Sequence, residues 1–434
     1  WWAAMSAARI LYVVLDGLGD RPVPALADRT PLEAAATPHL DRLAAAGQQG
    51  LVTTVGEGLA PESDVAVMAI LGYDPRRYHA GRGPLEAVGV GLPFRDGDLA
   101  LRGNFATGGA GRRIVDRRVG RTLTSEEARA LADALTAQLR LEAAPARVVV
   151  AASIGYRCAV VFYPEDGRLS AQVSNTDPAY ARVGGLGVAL STFTDDVAVC
   201  RPLDDSAEAA AAAALVNEFT EKSRAILDAH PVNVRRQAEG KLPANLILLR
   251  DAGDHLPRVP SMTERFGLRW GCFVEMPVER GIARFLGMSV VEVPHRAGAP
   301  RADVYRAWAE RALDVLPAHD ALYLHLKGPD EPGHDGDAEG KRRVIEEIDA
   351  HFFGTLAPRL DLTATLVAVT ADHATPCALR GHAADPVPLL LAGAGVAPDG
   401  AGRFTERAAA RGALGRLSGV EIVPLLVGRR TVGR

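Results

Sequence analysis

The chain has 434 residues, with 49 Lys plus Arg, 53 Asp plus Glu, 11 His and 4 Cys. At ~150 residues per domain that length suits two or three domains, each able to bury a core. A net charge of −4 excludes the overall basic field of a general nucleic-acid binder. Cys158, Cys200, Cys272 and Cys377 stand far apart with no Cys-x-x-Cys pair, so neither a disulfide framework nor a thiolate zinc site is expected, and a reducing, cytoplasmic setting fits. No apolar run approaches the ~20 residues of a membrane span. Residues 1–8, with Met5 as the native start, lack the basic and apolar regions of a secretion signal.

In chain order, residues 10–15 (ILYVVL) form a continuous apolar run without alternation, which predicts a central strand covered on both faces. The run ends in Asp16-Gly17, and the carboxyl end of a buried strand is where open α/β sheets hold ligands. Ala60-Pro61-Glu62-Ser63-Asp64 is a turn before the helical pattern of 65–71. A serine there either caps the helix or presents its hydroxyl at a helix N-terminus that favours an anion. Residues 95–121 carry seven Arg against three Asp. Residues 205–227, Ala-rich with Ser206 as N-cap, predict a helix on propensity alone. Apolar runs at 245–249, 321–326, 365–370 and 387–391 read as further strands. Helical patterns separate the last three, notably 338–356 with Val344, Ile345, Ile348, Phe352 and Phe353 on its apolar face. This alternation predicts an α/β fold with a mostly parallel sheet flanked by helices.

The chemistry concentrates after those strands. Asp330-Glu331-Pro332-Gly333-His334 follows ALYLHL and Lys327-Gly328, and a four-residue spacing lets Asp330 and His334 address one point. TLVAVT runs into Asp372-His373, and His382 stands in the next loop, before Asp385. Parallel strands would gather these groups along one edge. Carboxylate plus imidazole without thiolate suits Mn²⁺, Zn²⁺ or Co²⁺. Asp16, Asp330, His334, Asp372, His373 and His382 exceed the needs of one cation and predict a two-metal site, the kind that stabilises both oxygens of a phosphoryl transfer. Beside it the Ser63 hydroxyl would gain nucleophilicity.

Asp16-Gly17, TPLEAAATPHLDRLAAAGQQG, PESDVAVMAILGYDP, GRGPLEAVGVG, RGNFAT, DRR, NTDP, GKLPANLILLR, HLKGPDEPGHDGD, TADHATPC and GHAADPVP follow in this order between about residues 11 and 427. Together they resemble the archaeal-type cofactor-independent phosphoglycerate mutases of the alkaline phosphatase superfamily. The resemblance implies an alkaline-phosphatase-like core, residues 1–80 and 271–434, interrupted by an inserted α+β substrate domain, residues 81–270. It implies Ser63 as nucleophile, one metal on Asp16, Ser63, Asp372 and His373, and a second on Asp330, His334 and His382. Mn²⁺ is the first choice, and no 2,3-bisphosphoglycerate is required. The implied reaction interconverts 2- and 3-phosphoglycerate through a phosphoserine, in glycolysis and gluconeogenesis, with the glycerate trapped between domains.

A small phosphorylated hydroxy acid calls for Arg forks. Candidates are Arg82, Arg117, Arg118, Arg157 and Arg250, with Asn104 and Asp177 for hydroxyl contacts and Lys327 beside the metal loop. Neither nucleic acid nor membrane is an expected partner. Residues 267–279 (GLRWGCFVEMPVE) are bulkier than the family pattern, and Tyr156 and Cys158 flank Arg157. These departures leave an alternative open, in which the same core serves as a mutase or phosphatase for a phosphonate or sugar-phosphate analogue.

Overall fold

The computed structural model describes residues 8–78, 81–183, 186–190, 192–293 and 298–432. The chain divides into two units, one of Trp1–His79, Val259–Glu275 and Leu286–Arg434, the other of Ala80–Arg258 and Met276–Phe285. In chain order the strands are β1 (Arg9–Leu15), β2 (Gly47–Thr53), β3 (Leu99–Gly108), β4 (Ile114–Asp116), β5 (Ala146–Ala152), β6 (Arg157–Pro164), β7 (Tyr180–Val183), β8 (Leu186–Ala189), β9 (Leu246–Gly253), β10 (Trp270–Phe273), β11 (Ser289–Val290), β12 (Ala321–Leu326), β13 (Thr365–Thr370), β14 (Val387–Gly393) and β15 (Gly415–Ser418).

The first unit is built on an eight-stranded sheet ordered β11-β10-β12-β1-β13-β14-β2-β15. Every pairing is parallel except those of β14, which runs antiparallel to β13 and to β2. Among the predicted runs that join this sheet, 387–391 is thus the one that departs from the parallel expectation. Residues 10–15, 321–326 and 365–370 are buried throughout, which is why they read as unbroken apolar runs rather than alternating ones. Leu15 pairs with Leu326, and Val14 with Thr370. In this register Asp16, Lys327 and Asp372 leave the sheet at the same carboxyl edge.

The pattern at 338–356 forms a helix, Ala338–Ile348, that continues through a π-helical turn, Asp349–Phe353, into Gly354–Leu356. Buried Asp349 accepts the N–H groups of His39 and Leu40 at the start of the helix Pro38–Ala45.

The second unit is α+β. Strands β4-β3-β6-β5 form an antiparallel sheet extended by β9 on β3, so the run at 245–249 belongs here and not to the parallel sheet. Its core packs Leu101, Phe105, Phe162, Phe219, Ile247 and Leu249 together. The helix Ala207–Ala229 opens with the Ser206 hydroxyl accepting the Ala209 N–H, as its sequence predicts.

The boundary expected at residue 270 lies elsewhere. Residues 259–270 stay with the first unit, where the Tyr73 hydroxyl donates to the Pro260 carbonyl and β10 joins β12. Residues 276–285, expected in the core, join the second unit through the helix Pro277–Phe285, which packs on the helix Arg82–Gly89. A Cβ on Gly281 would come within 1.9 Å of the Leu85 carbonyl oxygen, so only glycine permits that approach. The four cysteines are buried and none is in a disulfide, and no described helix is long and apolar enough to cross a membrane.

Candidate active site

At the carboxyl edge of the large sheet, three chain segments converge around Asp16. Gly17 turns the chain with φ +63° and donates its N–H to Asp372 Oδ1 at 3.0 Å. Any Cβ at Gly17 would meet Asp330 Oδ1 at 2.7 Å, so the glycine lets the loop after β12 close on the loop after β1. The Asp330–Asp335 segment is a short helix, and it brings His334 Nε2 to 3.5 Å from Asp330 Oδ2, as the four-residue spacing predicts. His382 Nε2 lies 3.6 Å from Asp330 Oδ1. His373 Nε2 lies 3.2 Å from Asp372 Oδ2 and 3.6 Å from Asp16 Oδ1.

The imidazoles are aimed by their far nitrogens. His382 Nδ1 is 2.8 Å from the Pro61 carbonyl and His334 Nδ1 is 3.2 Å from the Arg380 carbonyl. A carbonyl only accepts, so in both rings Nδ1 carries a proton and Nε2 is turned toward the carboxylates. His373 Nδ1 is held by Thr375 Oγ1 at 3.1 Å. Metal-ligating histidines are oriented in this way. His373 and His382 stack with centroids 3.8 Å apart.

Three groups, Asp330/His334/His382, Asp16/His325/Asp372 and Asp16/Asp330/His373, each bring one donor atom per residue to within 4.8 Å of one another. Asp16 Oδ1 is buried without a hydrogen-bond partner among the described residues. The donor chemistry therefore fits divalent cations, with Asp330 shared between groups.

The electrostatics of these residues are in mutual conflict. Burial pushes Asp16 up to about 6 against the pull of Lys327, reinforced by the charges of Asp372 and Asp330. Burial also opposes ionisation of Asp372, yet His373 and His325 hold it well below the usual carboxylate range. His373, which burial alone would depress, is carried up to about 9 by Asp372, Asp330 and Asp16. His382 is pushed down to about 4 by burial and by His373. Cations would relieve the carboxylate repulsion directly.

Ser63 is not an N-cap. Glu62 holds the cap position and Ser63 is the first residue of the helix Ser63–Ile70. Its Oγ is therefore left facing the site, 3.4 Å from His373 Nε2. Lys327 Nζ donates to Asp16 Oδ2 at 2.8 Å, which ties it to the metal-ligand candidates.

Two residues escaped the sequence reading. His325 is fully buried within β12, with Nε2 3.5 Å from Asp372 Oδ2 and 3.9 Å from Asp16 Oδ1. Its signal was a lone ionisable residue inside a strand covered on both faces. The other, Arg102, belongs to the second unit.

There, Asp177 accepts both Arg117, through Nε at 3.1 Å and Nη2 at 2.7 Å, and Arg250 Nη1 at 3.1 Å. The Arg250 guanidinium lies 3.6 Å from the Tyr180 ring centroid. Arg82 Nε donates to Glu86 at 3.1 Å, and Arg102 Nε lies 3.7 Å from the same carboxylate. Burial, then Arg82 and Arg250, lower Arg102 to about 9. Asn104 and Arg157 face each other in the β3–β6 register, and Asn104 Oδ1, Arg157 Nε and Arg102 Nε are buried without hydrogen-bond partners among the described residues. Arg118 lines a cavity of about 490 Å³ with Arg117, Arg121, Asp116 and Asp195.

An α/β sheet whose carboxyl edge gathers cation donors around a serine hydroxyl defines a class, that of enzyme cores acting on small substrates at strand ends. Comparison with known proteins is more specific. Residues 44–233 match the family model for 2,3-bisphosphoglycerate-independent phosphoglycerate mutase. The chain is 47% identical over 422 residues to the protein of that name from Aeropyrum pernix, covering 96% of this chain and 98% of that one. It is 41% identical to its namesake from Methanopyrus kandleri, over 96% of this chain and 95% of that one. Among solved structures, a Pyrococcus horikoshii protein matches with TM-score 0.79 and 31% identity, over 98% of this chain and 97% of that one. The cofactor-independent phosphoglycerate mutase of Thermoplasma acidophilum matches with TM-score 0.64 and 33% identity, over 98% and 100%. The chain belongs to the 2,3-bisphosphoglycerate-independent phosphoglycerate mutase family.

Proposed function

We propose that the enzyme interconverts 3-phosphoglycerate and 2-phosphoglycerate through a phosphoserine at Ser63, without 2,3-bisphosphoglycerate. The observation that carries this reading is the Ser63 hydroxyl, uncommitted to capping, 3.4 Å from His373 Nε2, a nitrogen that also lies 3.2 Å from Asp372 and 3.6 Å from Asp16. Asp16, Ser63, Asp372 and His373, with His325 beside them, would hold one divalent cation, and Asp330, His334 and His382 a second. Such cations, Mn²⁺ first and Zn²⁺ or Co²⁺ next, supply charge neutralisation of the phosphoryl oxygens and a lowered pKa for the serine hydroxyl.

The rest of the chemistry falls to the chain's own groups. Ser63 Oγ attacks the phosphorus, a new O–P bond forms, and the ester oxygen of the glycerate leaves. The retained glycerate then presents its neighbouring hydroxyl to the phosphoserine, and Ser63 Oγ leaves in turn. Lys327, paired with Asp16, offsets negative charge at the same edge. In the second unit, Arg117 and Arg250, preset by Asp177, with Arg82, Arg118, Arg157 and Asn104, are the groups for the phosphate, carboxylate and hydroxyl of the substrate. Residues 80–258 with 276–285 are thus read as the substrate unit inserted in the metal core. Holding the glycerate against water separates a mutase from a phosphatase.

The test couples product to enolase, with Mn²⁺ and 3-phosphoglycerate and no added bisphosphoglycerate. Formation of 2-phosphoglycerate is expected, and phosphate release alone would refute the mutase reading. Ser63→Ala should abolish transfer while two Mn²⁺ per chain remain bound. Transfer retained in that variant would remove Ser63 from the mechanism.

A further inference from the structure

Thr375 lies two residues beyond His373 and is fully buried. Its hydroxyl donates to Asp330 Oδ1 at 2.6 Å and sits 3.1 Å from His373 Nδ1. A hydroxyl has one proton to give. An ionised carboxylate cannot donate, so that proton goes to Asp330 and the hydroxyl accepts Nδ1–H from His373. The ring of His373 is thereby fixed with Nε2 toward Asp16, Asp372 and Ser63. A single oxygen thus orients one residue from each of the two proposed cation groups.

The hydroxyl is itself held in place. The Thr375 N–H donates to the Gly19 carbonyl at 3.0 Å, and the Thr375 carbonyl accepts Lys341 Nζ at 2.9 Å. Lys341 Nζ also donates to Asp20 Oδ2 at 2.9 Å and to the Gly19 carbonyl at 3.1 Å, with both charged side chains wholly buried. On the other side, the Asp330–Asp335 helix comes so close that a Cβ on Gly333 would lie 2.5 Å from the Thr375 carbonyl oxygen and 2.9 Å from Cγ2. Glycine at 333 is what lets Asp330 reach the Thr375 hydroxyl.

We infer that Thr375 is a positioning residue that couples the two cation groups, so that loss of its hydroxyl weakens binding at both and not at one. This rests on the two-cation reading above. Without the hydroxyl, Asp330 Oδ1 loses a donor and the buried His373 Nδ1–H loses its acceptor. Groups that orient metal ligands typically account for ~10–100-fold in affinity.

The test uses the full chain stripped with EDTA and titrated with Mn²⁺ alone, followed calorimetrically and by loss of the free-Mn²⁺ electron paramagnetic resonance signal. Wild type should take up two ions. Thr375→Val, which keeps the volume, and Thr375→Ala, which does not, both lack the hydroxyl, so whichever folds carries the test. Each should bind both ions ~10–100-fold more weakly, while Thr375→Ser, which restores the hydroxyl, returns to within about threefold of wild type. Unchanged constants, a loss confined to one ion, or a serine variant as weak as valine would overturn the inference while leaving the two-cation reading intact. A wild type that binds no pair of ions would overturn both.

Discussion

Replacing Lys341 by Met tests the anchor beneath the site. The side chain is wholly buried with all three ammonium donors engaged, on Asp20 Oδ2, the Gly19 carbonyl and the Thr375 carbonyl. Met fills similar space and removes the charge. The Gly19 carbonyl keeps the Thr375 N–H, whereas the Thr375 carbonyl loses its donor. Asp20 is left buried with the N–H of Arg21 and the N–H and thiol of Cys377 as donors, but without a counter-charge. Breaking one partner of a buried pair costs about 3–5 kcal/mol, a large share of a total stability of ~5–15 kcal/mol.

The assay is denaturant unfolding in EDTA, which keeps cation binding from contributing. Tryptophan fluorescence reports the first unit, because Trp270 and Trp308 lie there and the second unit contains no tryptophan. Lys341→Met should lower ΔG by about 3–5 kcal/mol with little change in slope. Adding Asp20→Asn should recover at least half of that, since the stranded charge is gone. A single-variant loss below ~1 kcal/mol, or a double variant no more stable than the single, would refute the reasoning.

Three further outcomes are expected. Glu406 Oε1 is buried without a partner among the described residues, and burial pushes its carboxyl up to about 7 although Thr30 donates to it. The folded state therefore binds this proton more tightly than the unfolded chain does, and stability falls as pH rises from near 4.5 through about 7. Glu406→Gln should abolish that slope and be more stable at pH 8 by on the order of 1–3 kcal/mol, allowing for partial exposure; parallel melting curves for the two proteins would contradict this. Asp177→Asn removes the carboxylate shared by Arg117 and Arg250 and should raise KM for 3-phosphoglycerate at least ~tenfold with a smaller change in kcat. An unaltered KM would exclude those arginines from substrate binding. Chelation should abolish turnover and lower Tm, and Mn²⁺ should restore both; turnover surviving exhaustive dialysis would eliminate the cation requirement.

Much of the site was legible because parallel strands buried on both faces write themselves as uninterrupted apolar runs, and their ends mark where ligands gather. Asp16, Asp330 and Asp372 each follow such a run. His325 was missed because it sits inside one, where periodicity assigns only packing. The pair Lys341–Asp20 spans 321 positions and carries no local signal. The place of Ser63 turned on a single residue of helix phase, since Glu62 holds the cap. The exit of the second unit was misplaced because the helix 277–285 crosses back to it by a glycine-mediated fit, which shows only once Gly281 is seen against Leu85. Arg102 was overlooked as one of many arginines; its distinguishing property is burial, not type.

The position of β1 has a consequence for synthesis of the chain. Both of its sheet neighbours, β12 and β13, lie at the far end of the sequence, the nearer beginning at Ala321. At ~5–20 residues per second, a strand with no polar face waits roughly 15–60 s on the ribosome before either partner exists. The antiparallel sheet of the second unit closes between Leu99 and Gly253 and is complete long before then. Emergence from the ribosome thus orders assembly from the middle outward. Throughout that wait the wholly apolar segment that leads into Asp16 must be shielded from aggregation.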